Sequence, residues 1–204
     1  AVLERPGPAM IVVNHTTVVD VVVVVGTLHK LGFTVDGPCE TNCPHRRHLR
    51  PVGTSDMWNF PLAKQIVTGS GIIPTDQHDG RSAYRAARAA LKNNEVVLMC
   101  PEGDVKINAQ ASPRAWRPGT AGLAKSVSMP VLPIAHHDTR RLGSGSVERS
   151  ILQALSKIFR RPRIHLMIGT PVPASALAAL DPKQINDYLE RELTSLWQRV
   201  SSLT

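Results

Sequence analysis

The sequence predicts an α/β fold, a largely parallel central sheet flanked by helices, and three observations predict it. Short apolar, β-branched runs bounded by Gly, Pro or polar residues alternate with longer helical patterns, the mark of strand, helix, strand units. Hydrophobic residues at 42% and charged ones at 20% are globular values that allow a buried core and set aside disordered and collagen-like chains. The 204 residues contain no internal repeat, and against a prior of ~150 residues per domain they fit a single domain over residues 1–204.

The elements follow in order. Ala9 to Val13, Leu49 to Val52, Gly71 to Pro74, Glu95 to Cys100, Pro130 to Ala135 and Ile164 to Ile168 read as buried strands. Asp79 can cap an Ala-rich helix from Gly80 to Lys92, with Asn93 and Asn94 as its stop. A helix over Met57 to Val67 ends at Gly69, with Pro61 starting or kinking it. Asp181 followed by Pro182 starts a C-terminal helix over 181–204, whose Ile185, Leu189, Leu193, Leu196 and Val200 recur at core spacing. Val18 to Val25 holds seven valines in eight positions, and β propensity makes it a strand, although Leu28, Leu31 and Gly32 would also close a helix.

Charge narrows the function classes. Lys and Arg number 24 against 16 Asp and Glu, a net +8 that calls for an anionic partner. Residues 1–102 carry 10 basic and 9 acidic groups, whereas 103–204 carry 14 and 7, so the excess is local. Between 140 and 163 stand Arg140, Arg141, Arg149, Lys157, Arg160, Arg161 and Arg163 against Glu148 alone. With Ile151, Leu152, Leu155, Ile158 and Phe159 at helical spacing, the segment reads as an amphipathic helix, either covering the sheet or docking onto an anionic membrane surface or acidic carrier protein. Nucleic acid is disfavoured, since aromatic residues are only 4% and no binding motif accompanies the charge.

Three cysteines, Cys39, Cys43 and Cys100, do not make a disulfide framework, which favours a reducing, cytoplasmic setting. Apolar runs such as Val21 to Val25 fall far short of the ~20 residues that span a bilayer, so membrane contact is expected to be peripheral, on the inner face. The opening on Ala1, almost at once in a strand-like run, suggests that an N-terminal segment has been trimmed. Cys39, Cys43, His45 and His48 crowd into ten residues but match no standard zinc spacing, and no metal is expected.

His15 and Asp20 are the candidates for the chemistry. They lie in Asn14-His15-Thr16-Thr17-Val18-Val19-Asp20, directly after the strand Ala9 to Val13. A carboxylate five residues beyond a histidine at a strand mouth can fix one ring nitrogen and stabilise the imidazolium, the pairing of a general base with its orienter. The plainer reading is a capping histidine at a turn. Cys100, ending an apolar strand, reads as a buried small hydrophobe rather than a nucleophile. His136 and His137 read as solvated loop histidines, or as a lining of a substrate site at the sheet edge.

His15 to Asp20, then Gly71-Ile72-Ile73-Pro74-Thr75-Asp76, Cys100-Pro101-Glu102-Gly103, Trp116-Arg117-Pro118-Gly119 and Met129-Pro130-Val131-Leu132-Pro133-Ile134 stand in a fixed order. Together they resemble the glycerolipid acyltransferase superfamily, in its 1-acylglycerol-3-phosphate O-acyltransferase branch. Ile168-Gly169-Thr170-Pro171-Val172 resembles that family's closing strand motif, so the likeness covers residues 9–175. It implies transfer of an acyl group from a coenzyme A or acyl-carrier-protein thioester to a small-molecule or lipid hydroxyl. His15 would be the base and Asp20 its orienter, with no cofactor, metal or covalent acyl-enzyme, and backbone N–H groups near Gly103 would hold the oxyanion. Glu102 and Gly103 carry over as acceptor-binding positions, and Arg117 is either a contact for donor phosphates or carrier protein or a plain surface arginine. The same likeness implies a helix over Val18 to Leu31, against the propensity reading.

The chain departs from the family at two arginines. Asp76 is followed by Gln77 where the family has Arg, and Glu102-Gly103 by Asp104 and Val105 where the family has Thr and Arg. Neither glutamine nor valine reproduces an arginine fork on phosphate. Lys106 or Arg81 could supply a nearby charge, but the expected acceptor is not the usual lysophosphatidate. A neutral hydroxyl, a sugar or an amine of a specialised metabolite fits better; a conventional lysophosphatidate acyltransferase, or a noncatalytic lipid or acyl-carrier binding protein, is the alternative.

Overall fold

In the computed structural model, which describes residues 7–34, 47–54, 71–75, 80–103, 105, 112–143, 147–157 and 162–203, strand β1 (Ala9–Val13) forms the middle of the sheet. Every β1 residue is buried, which is why the run carries no polar alternation. Around it lie β2 (Phe33–Thr34), β3 (Arg47–Thr54), β4 (Ile73–Thr75), β5 (Val96–Met99), β6 (Val131–His137) and β7 (His165–Ile168). The order is β2-β3-β5-β1-β6-β7, with β4 paired to β3. All pairings are parallel except β6 with β7, so the mouths of β1, β5 and β6 open on one side. The register sets Val12 opposite Met99 and Val13 opposite Ile134, bringing the residues that follow the three strands together.

Strand alternation divides the core into two faces. Met10, Val12 and Val97 pack into one cluster; Ala9, Ile11, Val13, Val96 and Leu98 pack into the other. The first is covered by α2 (Gly80–Lys92), α3 (Gly119–Val127), α5 (Ala174–Ala178) and α6 (Pro182–Ser201), the second by α1 (Asp20–Lys30). The helix α4 (Val147–Lys157) completes the described helices longer than one turn, with a short 3-10 turn at Thr139–Arg141. The expected mixed, mostly parallel architecture is the one observed.

Two segments depart from their local expectation. The valine run is helix α1, not a strand. Asp20, Val24 and Leu28 are its buried residues, a four-residue repeat that only a helix turns to one side. The helix-propensity loss of Val21 to Val25, ~0.5 kcal/mol per residue relative to Ala, is outweighed by burial of Val24 and Leu28 at ~1.5–3 kcal/mol each together with the anchoring of Asp20. His29 and Lys30 in the last turn also suit the helix dipole. On α4, Leu152, expected on the apolar face, is instead 67% exposed. Strand β6 runs on through His136 and His137, and β4 begins at Ile73 because Gly71 holds a left-handed φ of 63°. The sequence gives no separate signal for α3, α5 or the two-residue β2. The segment Met57 to Val67 and the cap Asp79 lie outside the described residues.

The C-terminal helix begins as its sequence indicates. Asp181 accepts from the Gln184 N–H at 2.8 Å, and the Gln184 side chain accepts from the Asp181 N–H at 2.9 Å, a reciprocal capping box with Pro182 at the start. Ile185, Leu189, Leu193, Leu196 and Val200 are its buried residues. After β7, Gly169 donates to the Pro133 carbonyl at 2.9 Å, and a Cβ there would stand 2.9 Å from Pro133 Cγ and 3.1 Å from Leu196 Cδ2. The closing motif needs its glycine so that β6 and α6 can approach.

Candidate active site

The loop between β1 and α1 is wound around one carboxylate. Asp20, fully buried at the first position of α1, accepts from the Thr16 N–H in a short hydrogen bond and from the Thr17 N–H at 2.8 Å. Its Oδ2 also lies 3.2 Å from His15 Nδ1. The helix N-terminus and the backbone donors favour the ionised form, which explains how a carboxylate is tolerated there. Burial alone would push the Asp20 carboxyl up; His136 first, and His15 with it, hold it well below the usual carboxylate range.

Imidazole orientation follows from that pairing. With Nδ1 turned to Asp20, Nε2 is the ring nitrogen left for a reacting proton, on a side chain 15% exposed. Burial disfavours the imidazolium, but Cys100 and then Asp20 favour it and prevail, holding His15 well above the ordinary 6.5. Cys100, expected as a buried small hydrophobe, is only partly so. It lies partly exposed just beyond β5, packed against the cluster under α1 and close enough to influence His15.

Glu102, in the turn after β5, grips the same loop from the other side. Its Oε1 accepts from the His15 N–H at 2.9 Å, its Oε2 lies 3.2 Å from Arg114 Nε, and its side chain is fully buried. Burial raises its carboxyl above the usual value even against the His15 N–H and Arg114. The structure thus places Glu102 under the backbone of His15. Arg117 lies over Gly103: its N–H donates to the Pro101 carbonyl at 2.9 Å, and its Cδ and Nε would stand 2.5 Å from a Cβ added there. Gly103, at φ 70°, closes its own N–H on the Cys100 carbonyl at 3.1 Å.

The geometry brings His15, Asp20, Glu102, Gly103 and Arg117 together at the mouths of β1 and β5. Asp76, Gln77, Asp104, Lys106, and Cys39, Cys43 and His45 lie outside the described residues. Among the described residues no group of three His, Cys, Asp or Glu side chains is gathered as a metal site. Two participants depart from the sequence reading. Arg114 gave no signal, being separated from Glu102 by a segment whose path the sequence does not reveal. His136 is not a solvated loop histidine: it is fully buried within β6, with Nε2 3.5 Å from Asp20 Oδ2. The length of the apolar strand before it could have indicated this, since a seven-residue β6 carries its end into the site.

A model of the family described as Acyltransferase matches residues 2–137, two thirds of the chain, including His15, Asp20, Cys100, Glu102, Arg117 and His136. The chain belongs to this acyltransferase family. Among solved structures, it resembles the 1-acyl-sn-glycerophosphate (LPA) acyltransferase PlsC from Thermotoga maritima, with a TM-score of 0.64 and 16% identity over 98% of this chain and 67% of that one. That likeness establishes the acyltransferase fold, as the ordered motif blocks implied. No curated protein matches the sequence.

Proposed function

We propose that the protein transfers an acyl group from a coenzyme A or acyl-carrier-protein thioester to an acceptor hydroxyl, with His15 as general base. The observation that carries this reading is the 3.2 Å contact of His15 Nδ1 with a buried Asp20, which leaves Nε2 for the acceptor. Nε2 takes the hydroxyl proton as the oxygen attacks the thioester carbonyl. Collapse of the tetrahedral species breaks the C–S bond, and the leaving thiolate takes the proton from the imidazolium. Thiolate is a good enough leaving group that neither a metal nor a covalent acyl-enzyme is required. Asp20 holds the tautomer and stabilises the imidazolium, while Glu102 fixes the backbone of His15.

The acceptor in this reading is not the usual lysophosphatidate, because glutamine and valine occupy positions 77 and 105. One observation favours a second reading, a phosphorylated acceptor: Arg114 and the exposed Arg117 bring guanidinium groups to Glu102 and Gly103 from a different segment. An acceptor screen with acyl-CoA and acyl-carrier protein, read by product mass, decides between them. Preference for a non-phosphorylated hydroxyl or amine supports the first. Efficient acylation of lysophosphatidate, with no better acceptor, overturns it. Absence of acyl transfer to any acceptor would favour a noncatalytic acyl-binding protein.

A further inference from the structure

Behind the His15–Asp20 pair lies a closed ring of polar groups whose bonds converge on both of its members. His136 Nε2 is 2.7 Å from the backbone oxygen of Asn14, and since a carbonyl only accepts, that nitrogen carries a proton. This oxygen belongs to the peptide that joins Asn14 to His15. The same nitrogen lies 3.5 Å from Asp20 Oδ2. On the other side of the ring, Nδ1 faces Thr139 Oγ1 at 3.3 Å, Thr139 Oγ1 meets Thr16 Oγ1 at 2.9 Å, and Thr16 Oγ1 lies 3.3 Å from Asp20 Oδ1. Asn14 Nδ2 donates to the His136 carbonyl at 3.2 Å and Asn14 Oδ1 accepts the His136 N–H at 2.9 Å, a side-chain extension of the β1–β6 ladder.

Asn14, Asp20, His136 and Thr139 are fully buried and Thr16 is 7% exposed. In such surroundings a polar ring holds its members rigidly only while each is satisfied. We infer that His136 is a positioning residue for acyl transfer, fixing the peptide of His15 through Asn14 and the carboxylate of Asp20 through its ring edge and the Thr139–Thr16 hydroxyls. The inference rests on the proposed role of His15 as base. His136 itself has no path to the acceptor, being buried behind Asp20.

Substitution at His136 separates positioning from packing, because its backbone bonds to Asn14 survive. His136→Phe removes the imidazole contacts and keeps an aromatic ring; His136→Gln keeps a donor for the Asn14 carbonyl and an acceptor for Thr139. The readouts are the His15 titration by imidazole NMR, kcat and KM, and thermal melting. Among the described residues, the other charged or titratable groups acting on His15 and its loop are Asp20 on α1, Cys100 and Glu102 after β5, and Arg114 behind Glu102; the variants leave all of them in place.

With Asp20 less firmly held, His15 in His136→Phe titrates closer to 6.5 and kcat falls by about 10 to 100-fold, while KM stays within about twofold. His136→Gln restores both the titration and most of kcat. If His136→Phe does not fold, Thr139→Val supplies the same test through loss of the hydroxyl at Nδ1, with a smaller shift in the same direction. An unmoved His15 titration in a folded variant, or a glutamine variant as impaired as phenylalanine, overturns the inference. Failure of the base assignment would show separately, as turnover that survives His15→Ala while the NMR titration still responds to His136.

Discussion

At the scale of residues, one carboxylate organises the site. Asp20 receives the Thr16 and Thr17 N–H groups, His15 Nδ1 and the edge of His136, so its loss removes more than a charge. Because His15 must be neutral to accept a proton and is held above the ordinary imidazole value, kcat/KM rises with pH through a limb placed above pH 6.5. In Asp20→Asn that limb moves down toward the ordinary value and kcat falls by about 10² to 10⁴-fold, which a pH–rate profile with a saturating donor would read. The pair was legible in the sequence because a five-residue separation after an apolar strand brings both side chains to one turn. Arg114 and His136 were not, since their proximity depends on the course of the chain between distant strands.

At the scale of elements, burial overrides intrinsic preference. The run of valines favours a strand by χ1 stiffness, yet Asp20, Val24 and Leu28 fall on one side of α1 and the sheet supplies the apolar surface that covers them. Helix α6 needed no such correction: its capping box and its three- and four-residue apolar repeat are local signals, and the structure satisfies both. Leu189 is fully buried among residues of the cluster on that face. Leu189→Ala is expected to destabilise the fold by about 2–5 kcal/mol, a loss readable by denaturant unfolding. The same element shows where legibility stops, because the sequence does not reveal that Trp116 N–H reaches Glu190 Oε2 at 3.2 Å and ties the Arg114–Arg117 segment to α6.

At the scale of the whole molecule, charge and chemistry are separate. Among the described residues at the strand mouths, His15 pairs with Asp20 and Arg114 with Glu102, whereas the net +8 owes most to residues beyond 102. Arg141 is 54% exposed even though it pairs with Asp138 at 3.0 Å, Arg163 is exposed, and Leu152 stands out from α4. No helix among the described residues is long and apolar enough to cross a membrane. We propose that this basic region docks the protein on an anionic lipid surface. Flotation with phosphatidylglycerol vesicles should decline as salt rises, and Lys157→Glu with Arg163→Glu should weaken it; salt-independent or absent flotation would leave an acidic carrier protein as the better partner. The parallel strand order places the His15–Asp20 pair at the carboxyl end of β1, as a histidine directly after an apolar strand in an alternating pattern implied. The acceptor was less legible, because recognition depends on side chains brought from several segments. The most direct measurement is acceptor-dependent thiol release from an acyl thioester by the folded wild type and His15→Ala. A loss of about 10² to 10⁴-fold in kcat with the melting temperature preserved is the expected result, and full turnover by His15→Ala would contradict the general-base account.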